Sequence, residues 1–334
     1  MFKKRSRLLP VLVLLIVLAV WGLLRLSSSI ADPLRSPLSL SVNQGDGASS
    51  VSDQLAELSK KNGGSLSSFE IQALAFLTGR SGDFKAGDYE FPATASLNQV
   101  LNKLSRGEVV APRIRIPEGV TWREIKTVLA KAELEHDTQN LDAAQVASLL
   151  NVNARSIEGM LFPDTYQYRK GEPETNVLKR AHQILLQRLN AAWEKRAPNL
   201  PYESPYDALI MASIIEKETG TAADRNMVAA VFVNRLKLNM RLQTDPSVIY
   251  GMGESFKGNI SKADLQRDTP FNTYTRQGLT PTPIATASLA SINAALNPAA
   301  SDVLFFVARG DGSSEFTKTL AEHNAAVQKY QLGK

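Results

Sequence analysis

The sequence of 334 residues contains no cysteine. That excludes a thiol nucleophile, a thiolate metal site and a disulfide framework, and it suits an oxidising compartment. Histidine is nearly as scarce. His136, His182 and His323 are scattered, and none has a second histidine four residues away on a helix, so no metal centre is expected. A glycine-rich phosphate loop is missing as well. Ser213 falls in the middle of a helical pattern instead of at a strand-to-helix elbow, which argues against a serine hydrolase. Positive charge is also scarcer than the total implies. The net charge is +5, but Lys3, Lys4, Arg5 and Arg7 supply four of those charges, leaving +1 for residues 8–334. A basic nucleic-acid-binding face is therefore not indicated. No internal repeat or low-complexity tract interrupts the chain.

What is present begins with an apolar run, Leu8 to Leu24, with Trp21 near its outer end. At about 1.5 Å per residue, roughly 17–19 such residues just cross a hydrocarbon core of about 30 Å. The expectation is a cytoplasmic tail over residues 1–7 and a transmembrane helix over 8–26. The basic cluster stays inside, and everything after it is exported. A cleaved signal peptide is the rival, with Ser29-Ile30-Ala31 as its cleavage site and Pro10 shortening the run. Residues 27–37 read as a polar, proline-bearing linker.

Residues 38–157 are expected to form a small α+β region. Leu38, Leu40 and Val42 alternate with polar residues as in a strand. Helices are expected at Val51–Lys61 (capped by Ser50), from Ser67 or Ser68 to Gly79, at Leu97–Leu104 and at Thr121–Lys131. Further strands are expected at Phe84–Phe91 and Val109–Ile116. Residues 158–334 read as a mainly helical domain with long loops. Its helices lie near Thr175–Lys195, Pro205–Thr219, from Asp224 as N-cap to Lys237, and Thr317–Tyr330, with a buried strand at Val303–Ala308. Long loops between such elements usually carry function.

The candidate chemistry lies at the end of the helix over 205–219. Glu218 continues the apolar stripe of Met211, Ile214 and Ile215, because residues three, four and seven apart share a helical face. A carboxyl at the end of such a stripe is partly desolvated and keeps its proton longer, as a general acid requires. Glu216 sits over Leu209, Ala212 and Ser213, a smaller face. The plainer alternative is a helix-end glutamate paired with a cation. Asn234 shares a face with Met227, Ala230 and Val231, so its amide either orients another side chain or satisfies a loop carbonyl. Gln243, Thr244 and Asp245 before Pro246, and Asn272 and Tyr274 after Phe271, are two polar–aromatic clusters that suit a sugar groove or, equally, loop packing.

Several segments in fixed order resemble the YceG-like endolytic murein transglycosylase family: Glu158 to Tyr166 (EGMLFPDTY), Ser213 to Thr219 (SIIEKET), Val231 to Leu236 (VFVNRL), Met240 to Gly251 (MRLQTDPSVIYG) and Glu322 to Val327 (EHNAAV). The resemblance extends over essentially the whole chain. It implies a LysM-like N-terminal region, a lysozyme-like catalytic domain and an inner-membrane protein whose catalytic part lies in the periplasm. It further implies that Glu218 is the catalytic residue, with peptidoglycan glycan strands as substrate and peptidoglycan synthases (penicillin-binding proteins) as partners. No cofactor is implied. Asn234, Gln243, Thr244, Asn272 and Tyr274 are then the candidates for holding substrate or orienting Glu218. The chain departs from the family pattern at Phe271, Thr280 and Ser314, where relatives commonly have tyrosine, proline and histidine. Two rivals stay open: a lysozyme-type hydrolase using Asp245 as second carboxylate, and a non-catalytic glycan-binding scaffold.

Overall fold

The computed structural model describes residues 36–80, 84–218 and 221–333, together with Val13 and Leu34. The expected cytoplasmic tail, the transmembrane helix apart from Val13 and most of the linker lie outside these residues. Among the described residues no helix is long and apolar enough to cross a membrane. The architecture is mostly helical, with small two-stranded antiparallel sheets. The chain divides into two compact units at Ala111/Pro112.

In the first unit β1 (Leu38–Val42) pairs with β2 (Gly87–Phe91), in register from Leu38↔Phe91 to Val42↔Gly87. Every second residue of β1 is buried, as the alternation predicts. Helices α1 (Ala48–Lys61), α2 (Ser68–Leu77) and α3 (Leu97–Arg106) supply Val51, Leu55, Ile71, Leu74 and Leu101 to one core with Tyr89 and Phe91. Capping boxes at Ser67/Glu70 and Ser96/Gln99 start α2 and α3. The first helix starts before the expected Ser50, with Gly47 at its cap and no side-chain cap bond.

The expected strand Val109–Ile116 straddles the division. Val110 N–H donates to Asp88 O at the edge of the first sheet. Only β3 (Arg113–Arg115) pairs onward, with β4 (Thr165–Gln167). Pro112, lacking an N–H, stands between the two halves. The packing therefore divides earlier than the expected 157/158 boundary. Ile114, Ile116, Trp122 and Ile125 share one apolar core with Val177 and Leu209.

That second core is arranged around α7 (Pro205–Glu218), whose residues from Ala208 to Ile215 are all buried. A helix apolar all round must be covered all round. Its neighbours are α6 (Glu174–Glu194), α8 (Arg225–Lys237) and α11 (Leu289–Leu296). Two shorter helices, α4 (Trp122–Leu129) and α5 (Ala143–Leu149), close one side. Asp224 occupies the expected N-cap of α8 without making a side-chain cap bond. The loops after α8 contain two more helices, α9 (Asp245–Met252) and α10 (Lys262–Gln266). Pro246 opens this helix, where its missing N–H is harmless. The chain closes with β5 (Phe305–Ala308), β6 (Ser314–Thr317) and α12 (Leu320–Tyr330). In β5 only Val307 is fully buried, because the strand forms a two-stranded hairpin instead of the expected buried strand.

Candidate functional site

Glu218 is the last residue of α7. Thr219, its successor in the sequence motif, lies outside the described residues. The apolar body of the helix fixes the position of Glu218 and partly desolvates its carboxyl group. Thr244 Oγ1 donates to Glu218 Oε1 at 2.5 Å. Thr244 is itself held fast. Its N–H donates to Thr273 Oγ1 at 3.0 Å, and its carbonyl accepts from Ser247 Oγ at 2.8 Å. Gln243, just before it, has φ +52°, a left-handed conformation that few side chains adopt. Its N–H donates to Thr273 O at 3.1 Å, so the strained turn is pinned from the 272–274 loop.

Glu218 opens on a cavity of about 440 Å³, within the range of small-ligand sites. Its lining includes Gln243, Asp245 and Tyr274 together with residues of β5 and α12. Tyr274 OH donates to Asp245 Oδ1 at 2.6 Å. Burial raises the Glu218 pKa above the ordinary carboxylate value. The Thr244 hydrogen bond and the Arg235 charge pull it down, and the Asp245 charge pushes it up. Burial also raises the Tyr274 hydroxyl, and its bond to Asp245 adds to this.

Two residues of this cavity are not singled out by any sequence pattern. Arg235 projects from α8 and is buried. Its Nε donates to Leu304 O at 2.7 Å and its Nη1 to Leu242 O at 2.8 Å. The guanidinium lies 5.0 Å from the Phe305 ring centroid. His323 of α12 stacks on the same ring at 5.3 Å. Burial and then the Arg235 charge lower its pKa. Both residues lie inside the segments VFVNRL and EHNAAV, so position was the available signal. Their convergence on Phe305 is purely tertiary.

The expected site residues separate into two groups. Glu218, Gln243 and Tyr274 line the cavity, and Thr244 bonds to Glu218. Asn234 and Asn272 are occupied elsewhere. Asn234 Nδ2 donates to Ser301 O at 2.8 Å and Val303 O at 3.0 Å, tying α8 to the start of the hairpin. Asn272 Nδ2 donates to Leu265 O at 3.0 Å and Arg267 O at 2.7 Å, closing the end of α10. Glu216 points the other way from Glu218, accepting from Ser288 N at 2.9 Å at the N-cap of α11. A further buried carboxyl, Glu158, accepts from Trp122 N at 2.9 Å and from Tyr250 OH at 3.1 Å, and burial raises it to about 7. Among the described residues no group of three or more His, Asp or Glu side chains could hold a metal ion.

Known proteins resemble this chain in sequence and fold. The family model described as YceG-like matches residues 40–329. The chain is 33% identical to an endolytic murein transglycosylase of Bacillus subtilis, over 94% of this chain and 91% of that protein. It is 28% identical to an endolytic murein transglycosylase of Streptococcus pneumoniae, where the match covers 74% of this chain but only 51% of the longer relative. A crystal structure of a yceG-like protein from Listeria monocytogenes superposes with TM-score 0.55 at 28% identity, covering 87% of this chain and 98% of that one.

Proposed function

The chain belongs to the YceG-like family, and from that premise we propose that it is an endolytic murein transglycosylase with Glu218 as its single acid–base residue. Protonated Glu218 donates to the glycosidic oxygen between N-acetylmuramic acid and N-acetylglucosamine. The resulting carboxylate then takes the proton of the muramyl C6 hydroxyl, whose oxygen attacks the anomeric carbon. A 1,6-anhydro ring closes, and no water is consumed. One observation carries this assignment: Glu218 is a partly buried carboxyl, raised by that burial, on the wall of a sugar-sized cavity. The Thr244 hydroxyl occupies Oε1 and so fixes which way the carboxyl faces. Gln243 and Tyr274 are the remaining sequence candidates positioned to meet substrate. The first unit is the LysM-like, glycan-holding region in this proposal. The N-terminal apolar run anchors the chain in the inner membrane beside peptidoglycan synthases.

Asp245 favours one alternative, a hydrolase, because it lines the same cavity as Glu218. An inverting or retaining hydrolase needs such a second carboxylate to activate water or to form a covalent intermediate. The Tyr274 hydroxyl bonded to Asp245 Oδ1 supports a fixed structural role for that carboxylate instead. Mass spectrometry of strands cut by the purified protein decides between the two. Ends in 1,6-anhydro-N-acetylmuramic acid, lighter by one water than lysozyme products, are expected. Reducing ends carrying oxygen-18 from labelled water would establish hydrolysis instead.

A further inference from the structure

Helix α2 of the first unit is apolar on both faces. Ile71, Leu74 and Ala75 enter the core of the unit. On the other side Phe69, Phe76 and Leu77 stand 80%, 76% and 66% exposed. Positions 69, 76 and 77 are seven and eight residues apart, so the three side chains share one face, with Ala73 between them. A capping box at Ser67/Glu70 and a left-handed Gly79 fix both ends of the helix, so this face is rigidly presented. Apolar character on both faces marks a helix covered on both faces, and two neighbouring exposed phenylalanines go beyond the scattered apolar residues of an ordinary surface.

We propose that this face is a bilayer contact: Phe69, Phe76 and Leu77 enter the headgroup–acyl boundary of the membrane that the N-terminal apolar run spans. The proposal rests on the anchored reading given above. Three observations select lipid over a protein partner or a second copy. First, the apolar run Leu8–Leu24 and β1 are joined by residues 25–37 alone. Fully extended, that connection reaches about 45 Å at ~3.5 Å per residue, so the unit cannot leave the vicinity of the bilayer. Second, Phe69, Phe76 and Leu77 stand exposed on a short helix, and a lipid phase can cover them without a complementary protein surface. Third, exposed Lys60 and Lys61 end α1 just ahead of α2, Lys61 pairing with Glu57. Lysines close in sequence to an inserting apolar face suit anionic headgroups, while the carboxylate of α1 nearest the start of α2, Asp53, is bonded to Ser68 Oγ.

The absence of cysteine makes the test direct, since one introduced thiol is the only labelling site. The full chain carrying Phe76→Cys, or Glu90→Cys on the outer face of the sheet, is labelled with an environment-sensitive fluorophore. It is then reconstituted into phosphatidylethanolamine–phosphatidylglycerol vesicles containing a doxyl-labelled lipid. Position 76 should show blue-shifted emission and lose fluorescence to the doxyl quencher, while position 90 shows neither. No quenching at position 76 in a chain that still floats with the vesicles after alkaline carbonate overturns the proposal and leaves the anchor intact. A blue shift without lipid quenching also overturns it, since a protein then covers the face. A chain stripped from the vesicles by carbonate refutes the anchor, and the docking with it.

Discussion

Two glutamates two positions apart on α7 have opposite surroundings. Glu216 accepts from the N–H and hydroxyl of Ser288, whereas Glu218 accepts from Thr244 and faces the cavity. Glu218→Gln keeps the shape and removes the transferable proton. It should lower glycan cleavage by at least roughly a hundredfold, the lower end of what general acid–base catalysis contributes, with the melting temperature nearly unchanged. Glu216→Gln should keep most activity and lose about 1 kcal/mol of stability through its weakened cap. Cleavage assays and thermal melts on the two variants check both statements, and exchanged phenotypes would move the site to Glu216. Because Glu218 is active when protonated and its pKa is raised, activity should persist above the ordinary carboxylate range and fall as pH climbs through the raised value. Helical phase favoured Glu218 only weakly, because α7 is buried on every side, and the family motif made the choice between the two glutamates. The buried positions of Arg235 and His323 depend on how α8 and α12 approach Phe305, and no local pattern encodes that.

Among the elements, α7 and α8 follow from their apolar runs, while α9 and α11 are hidden in the sequence. Residues 245–252 contain proline and glycine, which read as loop until the proline is seen in the first helical turn. Asn234 and Asn272 read toward substrate for a related reason, and the structure turns both to loop carbonyls. A polar amide near a site has the same composition whether it binds a ligand or the backbone. Helix α9 also has a titratable link to α4. Tyr250 of α9 and the N–H of Trp122 both donate to Glu158, which is only 4% exposed and raised from an ordinary 4.5 to about 7. In the folded protein this carboxyl prefers to be neutral. Its contribution to stability is complete below about pH 4.5 and is lost as pH rises to about 7, on the order of 3 kcal/mol in all. Glu158→Gln, neutral throughout, should flatten the pH dependence of the melting temperature across that window. An unchanged slope would show that Glu158 is not the group responsible.

At the scale of the whole molecule, the packing divides at Ala111/Pro112, whereas the sequence pattern groups residues 38–157 together. The segment 112–157 has α+β composition like the first unit, yet its apolar side chains belong to the core around α7. Hydrophobic periodicity reveals that a residue is buried and leaves open against what. Orientation, by contrast, is a matter of charge. Lys3, Lys4, Arg5 and Arg7 precede the apolar run Leu8–Leu24, and on the proposed anchored reading the retention of such a cluster inside would export the residues beyond the run. A reporter fused after Lys334 should be active only if it works outside the cytoplasm. Cytoplasmic activity of that fusion would reverse the orientation, and recovery of a soluble chain beginning at Asp32 would replace the anchor with a cleaved leader.

Much of the lining of the Glu218 cavity is made from Phe305 onward, with Leu320, His323, Val327 and Gln331 contributed by α12 or the residue after it. Glu218 is therefore synthesised long before its site is complete. A growing chain lacks these lining residues until α12 has been made, so cleavage is expected to require α12. Ending the chain at Thr317 should leave the α7 core folded by circular dichroism yet abolish cleavage. Cutting by that truncated chain would mean that the lining without α12 suffices. The site thus draws on two well-separated stretches of chain, and a partly made chain holds only the first of them.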